Sequence, residues 1–135
     1  MKNSKVLKSI LIISGLIASA IGSTILFAPV AFYATYGIEL GGNTSLLNEI
    51  RAPGGALLIS GILIISGAFV NKWTFTSVVV STLLYLSYGL SRFISIAIDG
   101  MPVEGLVQAA ILEIVIGVAC AYAFIKYRGK QKVLM

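Results

Sequence analysis

Histidine is missing from this chain, and cysteine occurs once, at Cys120. Without histidine there is neither the usual proton shuttle near neutral pH nor the commonest nitrogen ligand for metals. A lone cysteine excludes an internal disulfide, a CxxC redox pair and a cysteine-based zinc site. No metal-ligand set and no phosphate-cradling loop is visible, so neither a metal nor a cofactor is expected. Charge is scarce too: 11% of the 135 residues are Asp, Glu, Lys or Arg, against about a quarter in a soluble domain.

What remains is apolar. Hydrophobic residues make up 58% of the chain, which points to lipid as the solvent. Four long apolar stretches fall at roughly residues 6–33, 46–70, 73–98 and 103–127. Each meets the ~20 residues an α-helix needs to cross the hydrocarbon core. A spanning segment must satisfy its own backbone, so helices are expected. A β-barrel would need short alternating segments instead. The length leaves no room for a soluble domain beside these spans. The expectation is a single all-α membrane domain, an antiparallel bundle of four transmembrane helices.

The first stretch has a second reading. Lys2, Lys5 and Lys8, an apolar run, and then Ala18-Ser19-Ala20 resemble a cleavable signal peptide. The apolar run continues past Ala20 to Phe32, long enough to span, which favours a retained helix.

The net charge of +5 is topological. Lys2, Lys5, Lys8, Lys72, Lys126, Arg128, Lys130 and Lys132 fall at the N-terminus, the second connection and the C-terminal tail. With four spans these places share one side, and the positive-inside rule makes it cytoplasmic. Both termini are therefore expected in the cytoplasm. Glu39, Glu49, Asp99, Glu104 and Glu113 lie in or near the two external connections. The basic tail suits contact with anionic lipid or a stop-transfer flank, and nucleic-acid binding has no other support.

The connections are short. Residues 37–45 form a polar external loop with the flexible run Gly41-Gly42-Asn43. Asn71-Lys72 reads as a tight cytoplasmic turn beside the interfacial Trp73, and Asp99-Gly100-Met101-Pro102 as a tight external one. Ser14, Ala18 and Gly22, and Gly15, Ser19 and Ser23, recur every four residues. Small residues at that spacing let helices approach closely, within the bundle first and in a homo-oligomer second.

Several charges sit inside the spans, where ionisable groups cost ~3 kcal/mol or more and face a partner or water. Arg92 and Asp99 lie about two turns apart on one face, with Tyr88 and Ser95. Glu113 lies at a depth similar to Arg92 on the next span, so an ion pair between them is expected. Arg51 near a helix start and Asp99 near a helix end both oppose the helix dipole, which suggests that they pair with each other. Glu104, following Pro102, reads as a helix-start residue. Pro53 frees the Glu49 carbonyl and kinks the helix if that helix begins well before it. Glu49, Arg51, Arg92, Asp99 and Glu113 together carry one net negative charge if all are ionised. Neutrality would follow from a proton on one carboxyl, or from a bound cation or cationic head. Alternatively, the arginines grip a carboxylate or phosphate.

The motif Glu49-Ile50-Arg51-Ala52-Pro53-Gly54-Gly55, then Arg92 through Asp99-Gly100-Met101-Pro102 to Glu113, resembles an uncharacterised family of small bacterial four-helix membrane proteins. That family is similar to the DoxX-like group. The resemblance implies a four-helix bundle in the bacterial cytoplasmic membrane with a shared polar site at these positions. Better-studied DoxX-like members act beside quinone or sulfur oxidoreductases, but the chain lacks the histidines and cysteine pair of direct redox chemistry.

Three functions compete. The favoured one is a binding or transport module in which Glu49, Arg51, Tyr88, Arg92, Asp99 and Glu113 line an external-facing pocket. Its ligand would be a small polar molecule or a lipid headgroup, with Tyr85 and Tyr88 on the apolar wall. Four helices are few for a transporter, so a homodimer or a larger membrane complex would go with it. The second is an accessory subunit of a larger membrane complex, in which the charges only fix the register of the bundle. The third is a lipid- or isoprenoid-modifying enzyme using Glu113 beside Arg92 as acid or base. The lack of a nucleophile makes an enzyme the weakest of the three.

Overall fold

The structure, a computed structural model, describes residues 4–133. Lys2 and the side chains of Lys130 and Lys132, three of the cations used to orient the spans, lie outside what is described. Five helices occur among the described residues: α1 (Lys5–Phe27), α2 (Pro29–Ala34), α3 (Thr44–Phe69), α4 (Asn71–Asp99) and α5 (Glu104–Val133). Four of them, all but α2, are long and apolar enough to cross a membrane.

Local chemistry sets the ends. The Ser4 hydroxyl accepts the Leu7 N–H at 3.1 Å and starts α1. The Asn43 side chain does the same for α3, accepting from Leu46 N–H at 3.1 Å. The first apolar stretch is not one helix to residue 33. Pro29 disfavours helical backbone at the residue before it, and Ala28 leaves the helix (φ −138°, ψ 55°). The chain restarts with Pro29 as the first residue of α2, where a missing N–H costs nothing. The expected turn at Asn71-Lys72 is also displaced. Both residues belong to α4, and Val70 alone breaks the chain between α3 and α4. The Thr74 hydroxyl spans that break by donating to the Gly67 carbonyl at 2.7 Å. Gly100, at φ 96°, caps α4 in a conformation open chiefly to glycine.

The helices pack antiparallel. On α1, a Cβ added to Gly22 would lie 2.4 Å from the Leu58 nitrogen, and one on Gly15 would lie 2.9 Å from the Gly61 carbonyl. On α3, Gly54 faces Ile25 and Gly61 faces Ser19. Rising numbers on α1 thus meet falling numbers on α3, with glycines two turns apart on each helix. The backbones touch, so the small-residue stripe works inside the bundle. Helices α4 and α5 pair less closely, with Gly89 under Ile114 and Gly117 under Leu86.

The lower core joins the two helix pairs through Leu7, Leu11, Ile64, Ala68, Val78, Ala123 and Tyr127. Above it lies a polar knot. The Tyr85 hydroxyl donates to the Ser14 carbonyl, Ser81 Oγ donates to Ser14 Oγ at 3.2 Å, and Ser81 Oγ lies 3.0 Å from Cys120 Sγ. The outer faces stay apolar and exposed at Ile13, Ile59, Leu83, Ile98, Val115 and Ile125, as lipid contact requires. Charges segregate along the bundle. Lys5, Lys8, Lys72, Lys126 and Arg128 sit at the end where α1 starts and α5 finishes. The carboxylates and two arginines occupy the opposite half.

Candidate functional site

Above the polar knot, residues of all five helices enclose a cavity of about 430 Å³. Tyr85 and Ala18 form its floor. Ile17, Ile21 and Ile25 of α1, Leu57 of α3, Leu84 of α4, and Leu106 and Ala109 of α5 form an apolar wall. The polar groups gather at the other end: Arg92 and Glu113, the serines Ser91 and Ser95, and the phenols of Tyr33, Tyr36 and Tyr88. Several lining residues, among them Pro53, Ser91, Ser95 and Leu112, remain exposed, so the cavity is open to its surroundings.

Arg92 and Glu113 meet as their spacing requires. Arg92 Nε donates to Glu113 Oε2 at 2.7 Å. The side chains keep 32% and 15% of their exposure, so the pair is half-buried and borders the cavity. It is the one ion pair among the described residues. An arginine has five N–H donors, and Glu113 takes only the one on Nε. The terminal guanidinium nitrogens make no hydrogen bond to any described residue, and neither do the hydroxyls of Tyr33, Tyr36 and Tyr88. None of these atoms is a sealed orphan, since the single buried unsatisfied side-chain atom among the described residues is Ser19 Oγ. They face open space. Tyr33, on α2 outside the four spans, is held above the ordinary phenol value by burial, against the opposing pull of Arg92. It therefore keeps its proton and remains a donor.

The six residues expected to line one pocket do not all do so. Tyr88, Arg92 and Glu113 line the cavity. Asp99 instead borders a smaller adjoining hollow with Arg92 and Ser95, and its carboxylate accepts from the Ser95 hydroxyl at 3.5 Å. Glu49 is exposed and borders neither space. Arg51 does not reach Asp99. Its guanidinium donates to the carbonyl of Leu26. The reason is the break at Ala28: α1 ends at Phe27, so its last carbonyls lack helical partners and carry the negative end of the dipole. Arg51, against the dipole of its own helix, satisfies that of its neighbour.

Sequence reasoning missed Phe32, Tyr33 and Tyr36. They lie on and just after α2, an element that the continuous apolar run to Phe32 conceals. The available signal was an aromatic cluster immediately after a proline, at Phe32-Tyr33 and Tyr36. Phe32 packs edge-on against both tyrosines, at 5.2 and 5.5 Å between ring centres, and Tyr36 lies over Gly105 of α5. No three His, Cys, Asp or Glu residues among those described are grouped to hold a metal.

A family model described as a domain of unknown function, DUF4345, matches residues 6–124. The chain belongs to this family. The match takes in every residue that lines the cavity, from Ile17 to Glu113, so the site lies wholly within the DUF4345 domain. No curated protein and no solved structure matches the chain.

Proposed function

We propose that this DUF4345 protein is a membrane-embedded binding module whose cavity takes a small amphiphile. The polar head sits at Arg92 and Glu113, and the apolar tail lies among Ile17, Ile21, Leu57 and Leu84. One observation carries the reading: Arg92 has terminal N–H groups that no described residue accepts, at the edge of an open cavity. An arginine within a span costs ~3 kcal/mol or more and normally has its donors met. A pair that served only to hold α4 to α5 would be better made with those donors satisfied and the space closed. The apolar wall favours an amphiphile over a wholly polar ligand. Cations gathered at the Lys72 end support a cytoplasmic face there by the positive-inside rule, and the reading takes the membrane to be a bacterial inner membrane. The cavity then lies in the outer half of the bilayer.

Native mass spectrometry of the full chain, extracted in mild detergent, tests the reading. Ala109→Phe narrows the cavity and leaves the Arg92 and Glu113 side chains in the sequence. The expected result is one retained small amphiphile per chain, lost in Ala109→Phe while thermal stability is kept. Equal retention by both proteins would sink the proposal.

A further inference from the structure

We infer that the cavity selects an uncharged, single-chain amphiphile whose head accepts hydrogen bonds, of the monoacylglycerol type. The inference rests on the binding reading above and names its ligand class.

Size sets the number of chains. A cavity of 430 Å³ falls in the lower part of the range that small-molecule sites occupy. That is room for one short chain with a small head, and the two chains of a phospholipid would not both lie inside it.

Donor chemistry sets the head. The polar end offers the terminal N–H groups of Arg92 and the hydroxyls of Tyr33, Tyr36 and Tyr88, none bonded to a described residue. Against these donors stands one carboxylate oxygen of Glu113 not engaged by Arg92. The fourth phenol, Tyr85, is occupied by the Ser14 carbonyl. A head rich in ester, carbonyl and hydroxyl oxygens complements this arrangement. A quaternary ammonium, which accepts nothing, would leave these donors unmet and draw only on charge and the ring faces.

Charge excludes an anionic head. The half of the bundle around the cavity holds Glu39, Glu49, Asp99, Glu104 and Glu113 against Arg51 and Arg92, a balance of three negative charges. Arg92 is already paired with Glu113, and Arg51 is turned to the end of α1. A carboxylate or phosphate entering here would add its charge to a half that already carries a net negative balance.

The test is calorimetric titration of the full chain in nanodiscs of zwitterionic lipid. The probes are monooctanoylglycerol, octanoate and octyltrimethylammonium, which share a tail and differ in head charge. Monooctanoylglycerol is expected to bind at least about tenfold more tightly than either charged probe. Tyr33→Phe combined with Tyr88→Phe keeps the cavity volume and removes two donors, and is expected to weaken monooctanoylglycerol by about tenfold while leaving octyltrimethylammonium unchanged. A charged probe that binds as tightly as the glyceride, or a glyceride indifferent to the loss of the phenols, overturns the inference and leaves the binding reading in place. Binding by none of the three, together with amphiphile retention unaffected by Ala109→Phe, overturns both.

Discussion

Arg92 on α4 and Glu113 on α5 join two antiparallel helices by one hydrogen bond of 2.7 Å, and do so on the wall of a cavity. A structural bridge and a ligand site respond differently to paired substitution. Removing one partner strands a charge inside the span. Arg92→Leu and Glu113→Leu are each expected to lower stability by about 1–3 kcal/mol, less than for a fully buried pair because both side chains keep some exposure. The double variant strands nothing and is expected to recover most of that loss in thermal unfolding. It should nonetheless lose the retained amphiphile. A double variant that holds its ligand would show that the pair is a bridge only.

The contact between α1 and α3 gives a sharper stability test. A methyl group on Gly22 would meet the backbone nitrogen of Leu58 at 2.4 Å, and backbone cannot swing aside as a flexible side chain can. Gly22→Ala is expected to cost about 1–3 kcal/mol by overpacking, despite the better helix propensity of alanine. Ser19 sits on the same seam with a buried, unpartnered Oγ, so Ser19→Ala removes an unmet polar group and is expected to be neutral or stabilising by about 1 kcal/mol. Thermal unfolding in one detergent ranks the two variants. Equal behaviour would contradict backbone contact at Gly22.

The sequence made some of this legible and hid the rest for identifiable reasons. Long apolar runs announce spans because the bilayer demands length, and Arg92 with Glu113 could be matched by counting helical rise from either side of a short turn. The break at Ala28 was hidden because the apolar run continues through Pro29 to Phe32 without a polar residue. That omission carried two others with it. Without an early end to α1 there is no stranded Leu26 carbonyl, and the sequence then offers Asp99 as the partner of Arg51. Without α2, Tyr33 and Tyr36 read as the tail of a span rather than the upper wall of a cavity. The turn at Asn71-Lys72 failed differently: polar residues mark a connection, but here they open the next helix and the break falls on the apolar Val70.

Cys120 reports on how firmly the helix pairs are joined. It is fully buried and 3.0 Å from the Ser81 hydroxyl. A maleimide is expected to leave it unmodified in mild detergent and to label it fully in dodecyl sulfate. Tyr85→Phe removes the hydrogen bond from α4 to the Ser14 carbonyl of α1. Losing about 1 kcal/mol there should raise the labelling rate in mild detergent by about fivefold, if labelling follows local opening. An unchanged rate would mean that the apolar core below holds the pairs together without the polar knot.

The silence of Cys120 also permits a test of orientation in intact cells. Gly42 lies in the connection between α2 and α3, and nothing stands within 4 Å of a Cβ added there. Lys72 is exposed at the start of α4, at the opposite end of the bundle. With the cationic end in the cytoplasm, a membrane-impermeant maleimide should label Gly42→Cys and spare Lys72→Cys until the cells are opened. Each lysine or arginine near a span disfavours translocation, and Lys5, Lys8, Lys72, Lys126 and Arg128 act together at that end. The reverse labelling pattern would carry all five across the membrane and turn the cavity toward the inner leaflet, so its ligand would have to come from the cytoplasmic side.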